Sequence, residues 1–307
     1  MRLGLIVRSV RTGLGHQILE ISRHLHPAVT VVVDHGGPLQ NWYGDAPTIP
    51  WQPRQELPGA FELLAGCDVV LSVETFYDWT LPDRLAAVDV PTVLIANPEL
   101  YDGHPTSHVW THTSWLIRDG WRLIPMPCPV DRYPTVHPLI SPVRMVHPMS
   151  IAMADRNGSA VVRRASRLFS DPVDLIGPPG RMIDDYWQRD PGYALSLIPR
   201  QYGGLCLPAL EAMSAGTPVV MPDCSPNQDW PIIPVAAVSS GKLRTKGGPV
   251  PIYDVTPQNL ARTVKPWLAD PDRLEAKRVE VRQWAEANSW DVLEPVWRAA
   301  LEEAADT

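Results

Sequence analysis

The segment Pro199–Val220 reads PRQYGGLCLPALEAMSAGTPVV. Two adjacent glycines, Gly203 and Gly204, precede a helix-like run that Gly216 and Pro218 bring to an end. Glycines let a backbone approach a ligand closely, and the N–H groups at a helix start favour anions. Pro208 suits the first helical position, where no N–H is needed. Glu211 then falls in the first turn, within reach of the vicinal hydroxyls of a ribose whose phosphates dock at the glycine pair. The helix dipole alone would also favour an acid there. Arg200 stands just before the glycines with Gln201, and a planar guanidinium matches a diphosphate. A surface ion pair is the plain alternative for Arg200.

A second glycine loop, Thr12-Gly13-Leu14-Gly15, opens a helical pattern near the start of the chain, with His16 directly after it. It lacks the third glycine of a dinucleotide fingerprint, since Ile18 holds that place, and no P-loop lysine follows. An ordinary tight turn explains it equally well; otherwise His16 could reach a phosphate or an acceptor hydroxyl. Two acids, Glu74 and Glu99, lie just past apolar runs. Glu99 is the preferred acid/base or sugar-orienting group, with a helix-start or surface Glu as the alternative. His104, His108 and His112 have helical spacing, but the residues between them do not favour a helix, so no metal site is expected. The tryptophans Trp42, Trp51, Trp79, Trp110, Trp115 and Trp121 offer faces for sugar stacking, although packing is the commoner fate of the residue.

The stretch from Arg200 to Val220 resembles the donor-binding motif of GT-B glycosyltransferases of the GT4 type. Pro129-Val130-Asp131-Arg132-Tyr133 is similar to that family's Asn-Gly-Val-Asp segment. Asp155-Arg156-Asn157-Gly158 is similar to its Lys-Asn-Gly stretch, and Asn288-Ser289-Trp290 to its Phe-Ser-Trp helix start. The resemblance implies a donor site of Gly13, Gly15, Arg156, Arg200, Gln201, Gly203, Gly204, Leu205 and Glu211, with Glu99 and His16 on the catalytic side. It implies retention of anomeric configuration, no metal and no cofactor beyond the UDP- or GDP-linked sugar substrate. Two departures stand out. Gly203 replaces a Glu associated with the donor sugar, and Ile151 stands where a phosphate-binding Arg is expected. Arg156 fits the position of the family's Lys, and Arg200 could supply the missing cation. The Arg-Gln-Tyr-Gly-Gly version also resembles glycosyltransferases of actinobacterial phages. That raises a phage protein or a hydroxymethylated base in phage DNA as acceptor, in the host cytoplasm.

These residues need a scaffold, and the sequence supplies one. LGLIV (Leu3–Val7), a glycine loop, the helical HQILEISRHL and VTVVVD (Val29–Asp34) form a βαβ unit of a parallel sheet. The alternation continues through FELLAG, DVVLSV, LPDRLAAV and PTVLIA. YPTVHPLISP, rich in proline, reads as a linker. A second series follows: PVRMVHP, GSAVVRRASRLF, PVDLIG, a helical MIDDYWQRD, YALSLI, PALEAMSAG and TPVVMP, closed by three helices. The expectation is an α/β GT-B fold: an acceptor-side domain over 1–135, a linker over 136–142, a donor domain over 143–287 and a closing helix over 288–307. Two Rossmann-like parallel sheets would face a cleft, with ligands at the carboxyl ends of the strands.

Composition sets the outer bounds. The 307 residues suit two domains. The four cysteines form no C-x-x-C pair and are expected to be reduced thiols. Early arginines and a short apolar run speak against a signal peptide, and no stretch is apolar enough to span a membrane; a cytoplasmic protein is expected. Residues 1–140 carry nine Arg, no Lys and fourteen acids, a net of −5, and residues 141–307 a net of −2; neither half has a basic nucleic-acid footprint in total, though a local Arg patch could exist. A sugar-nucleotide epimerase of the same architecture and an inactive sugar-nucleotide-binding module are the competing classes. Oligomeric state is not set by the sequence.

Overall fold

In a computed structural model, residues 1–53, 55–133, 136–140, 143–149, 155–177 and 192–307 are described. The expected helix MIDDYWQRD and the Ile151 position lie outside them. The chain divides into two compact units, Met1–Met126 with Leu293–Thr307, and Pro127–Val292. The division therefore falls nine residues ahead of the expected boundary at 135, and most of the closing helix belongs with the first unit. Arginines explain why the expected linker is not loose. Arg278 donates to the carbonyls of His137 and Gly216, and Arg282 to those of Tyr133 and Ser214. These bonds hold the described linker residues on the second unit.

The first unit is built on β1 (Leu3–Val7), α1 (Gly13–Leu25), β2 (Val29–Asp34), β3 (Thr48–Pro50), α2 (Ala60–Leu64), β4 (Val69–Val73), α3 (Leu81–Ala86), β5 (Thr92–Ile95), β6 (His108–Thr111) and β7 (Arg122–Leu123). All seven strands are parallel, in the order β3-β2-β1-β4-β5-β6-β7. Strands β1 and β4 are buried along their whole length, which is why they read as unbroken apolar runs. Ile6, Val31, Val33, Val70 and Leu94 share a core with Leu57, Leu64 and Leu85.

The second unit contains β8 (Met145–Pro148), α4 (Ser159–Ala165), β9 (Val173–Ile176), β10 (Leu195–Leu197), α5 (Leu207–Ser214), β11 (Val219–Pro222), β12 (Ile233–Val235), an antiparallel ribbon β13 (Val238–Thr245) and β14 (Gly248–Asp254), then α6 (Pro257–Leu268) and α7 (Pro271–Ala287). Helix α8 (Trp290–Ala305) follows. The main sheet is parallel, in the order β12-β11-β10-β8-β9. Met145, Leu195, Leu197, Val220 and Ile233 form its core with Leu260 and Leu274.

Each strand order reverses direction once. The reversal falls between β1 and β4 in the first sheet and between β8 and β10 in the second. Ligands of open α/β sheets bind beyond the carboxyl ends of the strands at such a switch point.

Candidate functional site

The two loops that leave the second sheet's switch point are joined by direct bonds. After β8, Asp155 turns the chain in a left-handed conformation (φ 36°). Its carboxylate accepts from the N–H groups of Ser159 and Ala160 at the start of α4. Gly158 (φ 78°) lets the turn press on the neighbouring loop, since a Cβ there would stand 2.5 Å from the Pro199 carbonyl oxygen. The Gln201 N–H donates to the Arg156 carbonyl over 2.9 Å.

Those links bring Arg156 and Arg200 together. Both Nε atoms donate to the Tyr202 carbonyl, at 3.2 and 3.1 Å. Arg200 is buried and also donates to the carbonyls of Gly204 and Leu205. The Arg156 guanidinium lies over the Tyr202 ring, 5.0 Å from its centroid. Gly203 sits between the two side chains with φ 121°, and a Cβ there would overlap a terminal nitrogen of each guanidinium. The two nitrogens are thus within about 4 Å of one another, where like charges at a protein surface repel by about 4 kcal/mol. An anion between them would add two attractive terms that outweigh that repulsion. A side chain at 203, such as the Glu that the family resemblance leads one to expect, would have to displace both guanidinium ends and hold a positive φ.

Helix α5 starts directly beyond. Its N-cap, Cys206, makes no side-chain capping bond. One expectation is corrected here: the helix begins at Leu207, so Pro208 is its second residue and Glu211 its fifth. Glu211 therefore stands in the second turn, where the dipole effect that would favour any acid has largely faded. It is half-buried. His147 in β8 braces the same switch point. Its Nδ1 bonds the Leu197 carbonyl and its Nε2 the Ser159 hydroxyl, at 2.6 and 2.9 Å. Burial pushes it down to about 4, which keeps the ring neutral.

The first unit's switch point has a different inventory. Gly15 is needed because a Cβ would overlap the Val10 carbonyl oxygen, and Thr12 caps α1 by accepting from the Gly15 N–H. Gly13 is the first residue of that helix, and His16 is buried against Trp42. Glu74 follows β4 and receives a hydrogen bond from the Asn97 side chain, which follows β5. Glu74 and Tyr77 both adopt left-handed backbone conformations, with φ 65° and 66°. Such strain persists only where neighbours enforce it. Here Ser72 Oγ holds the Thr75 carbonyl, Thr75 Oγ1 accepts from the Tyr77 N–H, and Trp51 Nε1 donates to the Tyr77 carbonyl. Burial pushes the Tyr77 phenol well above its ordinary range; Arg8 opposes that shift and Glu74 adds to it. Glu99 lies beyond β5, one strand away from the switch point, and is 5% exposed.

The structure thus gathers Arg156, Arg200, Gln201, Gly203, Gly204 and Leu205 at one place and puts Glu211 on the helix that starts there. Gly13, Gly15 and His16 belong to the other unit. The sequence reading preferred Glu99 to Glu74 and did not pair Glu74 with Asn97. The signal for that pair was present: both residues stand just past apolar strands that turn out to be neighbours. The three histidines at helical spacing separate. His104 packs between Phe76 and Trp79, His108 Nε2 meets Thr307, and His112 Nδ1 bonds the Ile124 carbonyl.

No protein-family model matches the chain, and no curated protein matches it. Solved structures do. HepE of Anabaena superposes with a TM-score of 0.70 at 11% identity, covering 99% of this chain and 100% of its own. Sucrose-phosphate synthase of Thermosynechococcus elongatus gives 0.66 at 13%, covering all of both chains. A glycosyltransferase of Rickettsia africae gives 0.65 at 11%, covering 99% of this chain and 98% of its own. HepE was solved with UDP and with UDP-glucose. At such identities the likeness is one of fold. The chain has the α/β architecture of GT-B glycosyltransferases, two Rossmann-like parallel-sheet units. No helix among the described residues is long and apolar enough to cross a membrane.

Proposed function

We propose that this protein is a glycosyltransferase that moves a sugar from a nucleoside-diphosphate sugar, UDP-linked by preference, to a hydroxyl acceptor. The observation that carries the reading is the convergence of Arg156 and Arg200 on Gly203, at a switch point and beside a helix N-terminus. Paired guanidinium forks and helix N–H groups are the complement of a diphosphate. In this reading Arg156, Arg200, Gly204 and Leu205 hold the phosphates and Glu211 accepts from the ribose. Neutralising the diphosphate also makes it a better leaving group. The first unit binds the acceptor. Glu74, held by Asn97, is better placed than Glu99 to receive the acceptor proton, because it stands at the switch point itself. Retention of anomeric configuration is what the family resemblance implies.

UDP titration by calorimetry tests the donor site. Arg200→Ala should weaken UDP binding about 100-fold, close to 2.7 kcal/mol. Because Arg200 is buried, the half-buried Arg156→Ala gives a second measure, with about tenfold expected, and Glu211→Ala a third of similar size. Unchanged UDP affinity in folded Arg156 and Glu211 variants would overturn the assignment. A panel of nucleotide sugars then separates the classes: released nucleoside diphosphate supports transfer, isomerised donor indicates an epimerase, and binding without turnover in the presence of candidate acceptors indicates an inactive module.

A further inference from the structure

Like the α4 segment, which holds Arg163, Arg164 and Arg167 without an acid, the ribbon β13–β14 runs against the net charge of the chain. The protein carries a net charge of −7 and only four lysines. Two of them, Lys242 and Lys246, flank Arg244 in the ribbon, and residues 238–253 contain no acid. The strand period of two places Lys242 and Arg244 on one face, and Lys246 continues the series into the turn. All three are exposed. Across the ladder Lys242 pairs with Pro251 and Arg244 with Pro249, so the same face holds cations and prolines. The opposite face holds Leu243, half-buried, paired with the buried Val250. The ribbon is thus laid down on its apolar face and shows its cationic face outward.

Two prolines in β14 spoil it as an edge for strand addition by another chain. The base of the ribbon is fixed instead: the Tyr253 N–H donates to the Gln201 carbonyl, and Gln201 Nε2 donates to Asp254 Oδ1. Gln201 is next to Arg200, so the ribbon and the guanidinium pair share one loop.

We propose that this ribbon binds duplex DNA through its phosphate backbone. A two-stranded ribbon with strands about 4.8 Å apart fits a B-form major groove about 12 Å wide. Cations repeating every two residues, about 6.7 Å, present a row of charge to a strand of phosphates. An A-form RNA major groove is too narrow for it. The inference is independent of the sugar-transfer reading, and a bound duplex would lie beside the loop that carries Arg200.

The test is anisotropy of a fluorescein-labelled duplex of about 20 base pairs, titrated with the full chain between about 50 and 200 mM salt. The wild type should bind with a salt-dependent affinity. The Lys242→Gln/Arg244→Gln/Lys246→Gln variant should bind at least tenfold more weakly at the low-salt end, with the log–log salt slope flattened by about 3. A charge-matched control, Arg163→Gln/Arg164→Gln/Arg167→Gln on and after α4, should keep the wild-type affinity and slope. Far-ultraviolet circular dichroism shows that both variants fold. The proposal is overturned if the wild type fails to bind the duplex at low salt. It is also overturned if the ribbon variant binds as the wild type does, if the control loses as much, or if phosphatidylserine vesicles are bound and the duplex is not.

Discussion

At the second sheet's switch point, two guanidiniums and a helix start surround a glycine. At the first sheet's switch point, the loop after β4 holds a carboxylate and a buried phenol, and the Asn97 amide reaches the carboxylate from the loop after β5. The topology is of one kind in both units: parallel strands, one reversal of order, and loops leaving the carboxyl ends on either side of it. The chemistry is nearly opposite. One site is cationic, the charge that the proposed diphosphate requires. The other holds a carboxylate steadied by an amide, suited to a hydroxyl and its proton. A common scaffold therefore fixes where these loops lie, and the few residues just past each strand fix their chemistry. Strain is distributed accordingly. The first site forces Glu74 and Tyr77 into the left-handed region, and the second forces Asp155 there and adds two glycines of positive φ, Gly158 and Gly203.

Three experiments would sharpen or break this contrast. The largest effect is expected on the acceptor side. Glu74→Gln should lower the rate of sugar transfer, or of donor hydrolysis, by about 10²–10⁴ while leaving UDP affinity unchanged. Glu99→Gln should cost less than about tenfold. If the two variants change places, the proton acceptor lies on the turn beyond β5 and the switch-point contrast fails.

Next comes the glycine between the arginines. Gly203→Glu should destabilise the protein by about 1–2 kcal/mol through left-handed strain and, by displacing the two guanidinium ends, should weaken UDP binding at least tenfold. Urea unfolding and calorimetry read both effects. A stable variant with unimpaired UDP binding would mean that the loop admits the side chain and that the arginines are not set by its absence.

The smallest effect tests a feature the units share. Each contains a buried neutral histidine, His112 in the first and His147 in the second, both pushed down to about 4 chiefly by burial. A depressed histidine takes its proton more readily in the unfolded chain. Its contribution is therefore complete above the ordinary 6.5, is lost as pH falls from there towards 4, and levels off below. At about pH 5 each should remove about 2 kcal/mol relative to neutral pH. His112→Gln and His147→Gln should each abolish about half of that pH dependence in urea midpoints. A dependence carried by one histidine alone would show that the two are not equivalent.

The architecture was legible because its strands are buried on both faces. LGLIV, VTVVVD, VVLSV and TVLIA leave no other economical reading, and α1 follows from Ile18, Ile21 and Leu25 at helical spacing. The turn and helix start after Arg200 were legible because glycine, proline and helix-start preferences act over a few residues. Short β3, β6 and β7 were not, since two to four residues carry too little periodicity and neighbouring strands supply their stability. The ribbon was also missed: glycines, prolines and exposed cations in 238–253 read locally as a loop, and only the pairing of the two strands makes a sheet of them.

By itself, then, the sequence determined two parallel α/β units, the glycine loops and the stretch that starts at Arg200, because local sterics and burial on both faces are written into adjacent residues. Only the tertiary structure decided that Arg156 and Arg200 share one carbonyl, that Glu74 meets Asn97, and that Glu211 stands in the second turn of its helix rather than the first. The first two are contacts between loops far apart in the chain, set by strand order, which no local pattern encodes. The third turns on where a helix begins, and that is fixed by the packing of the loop before it.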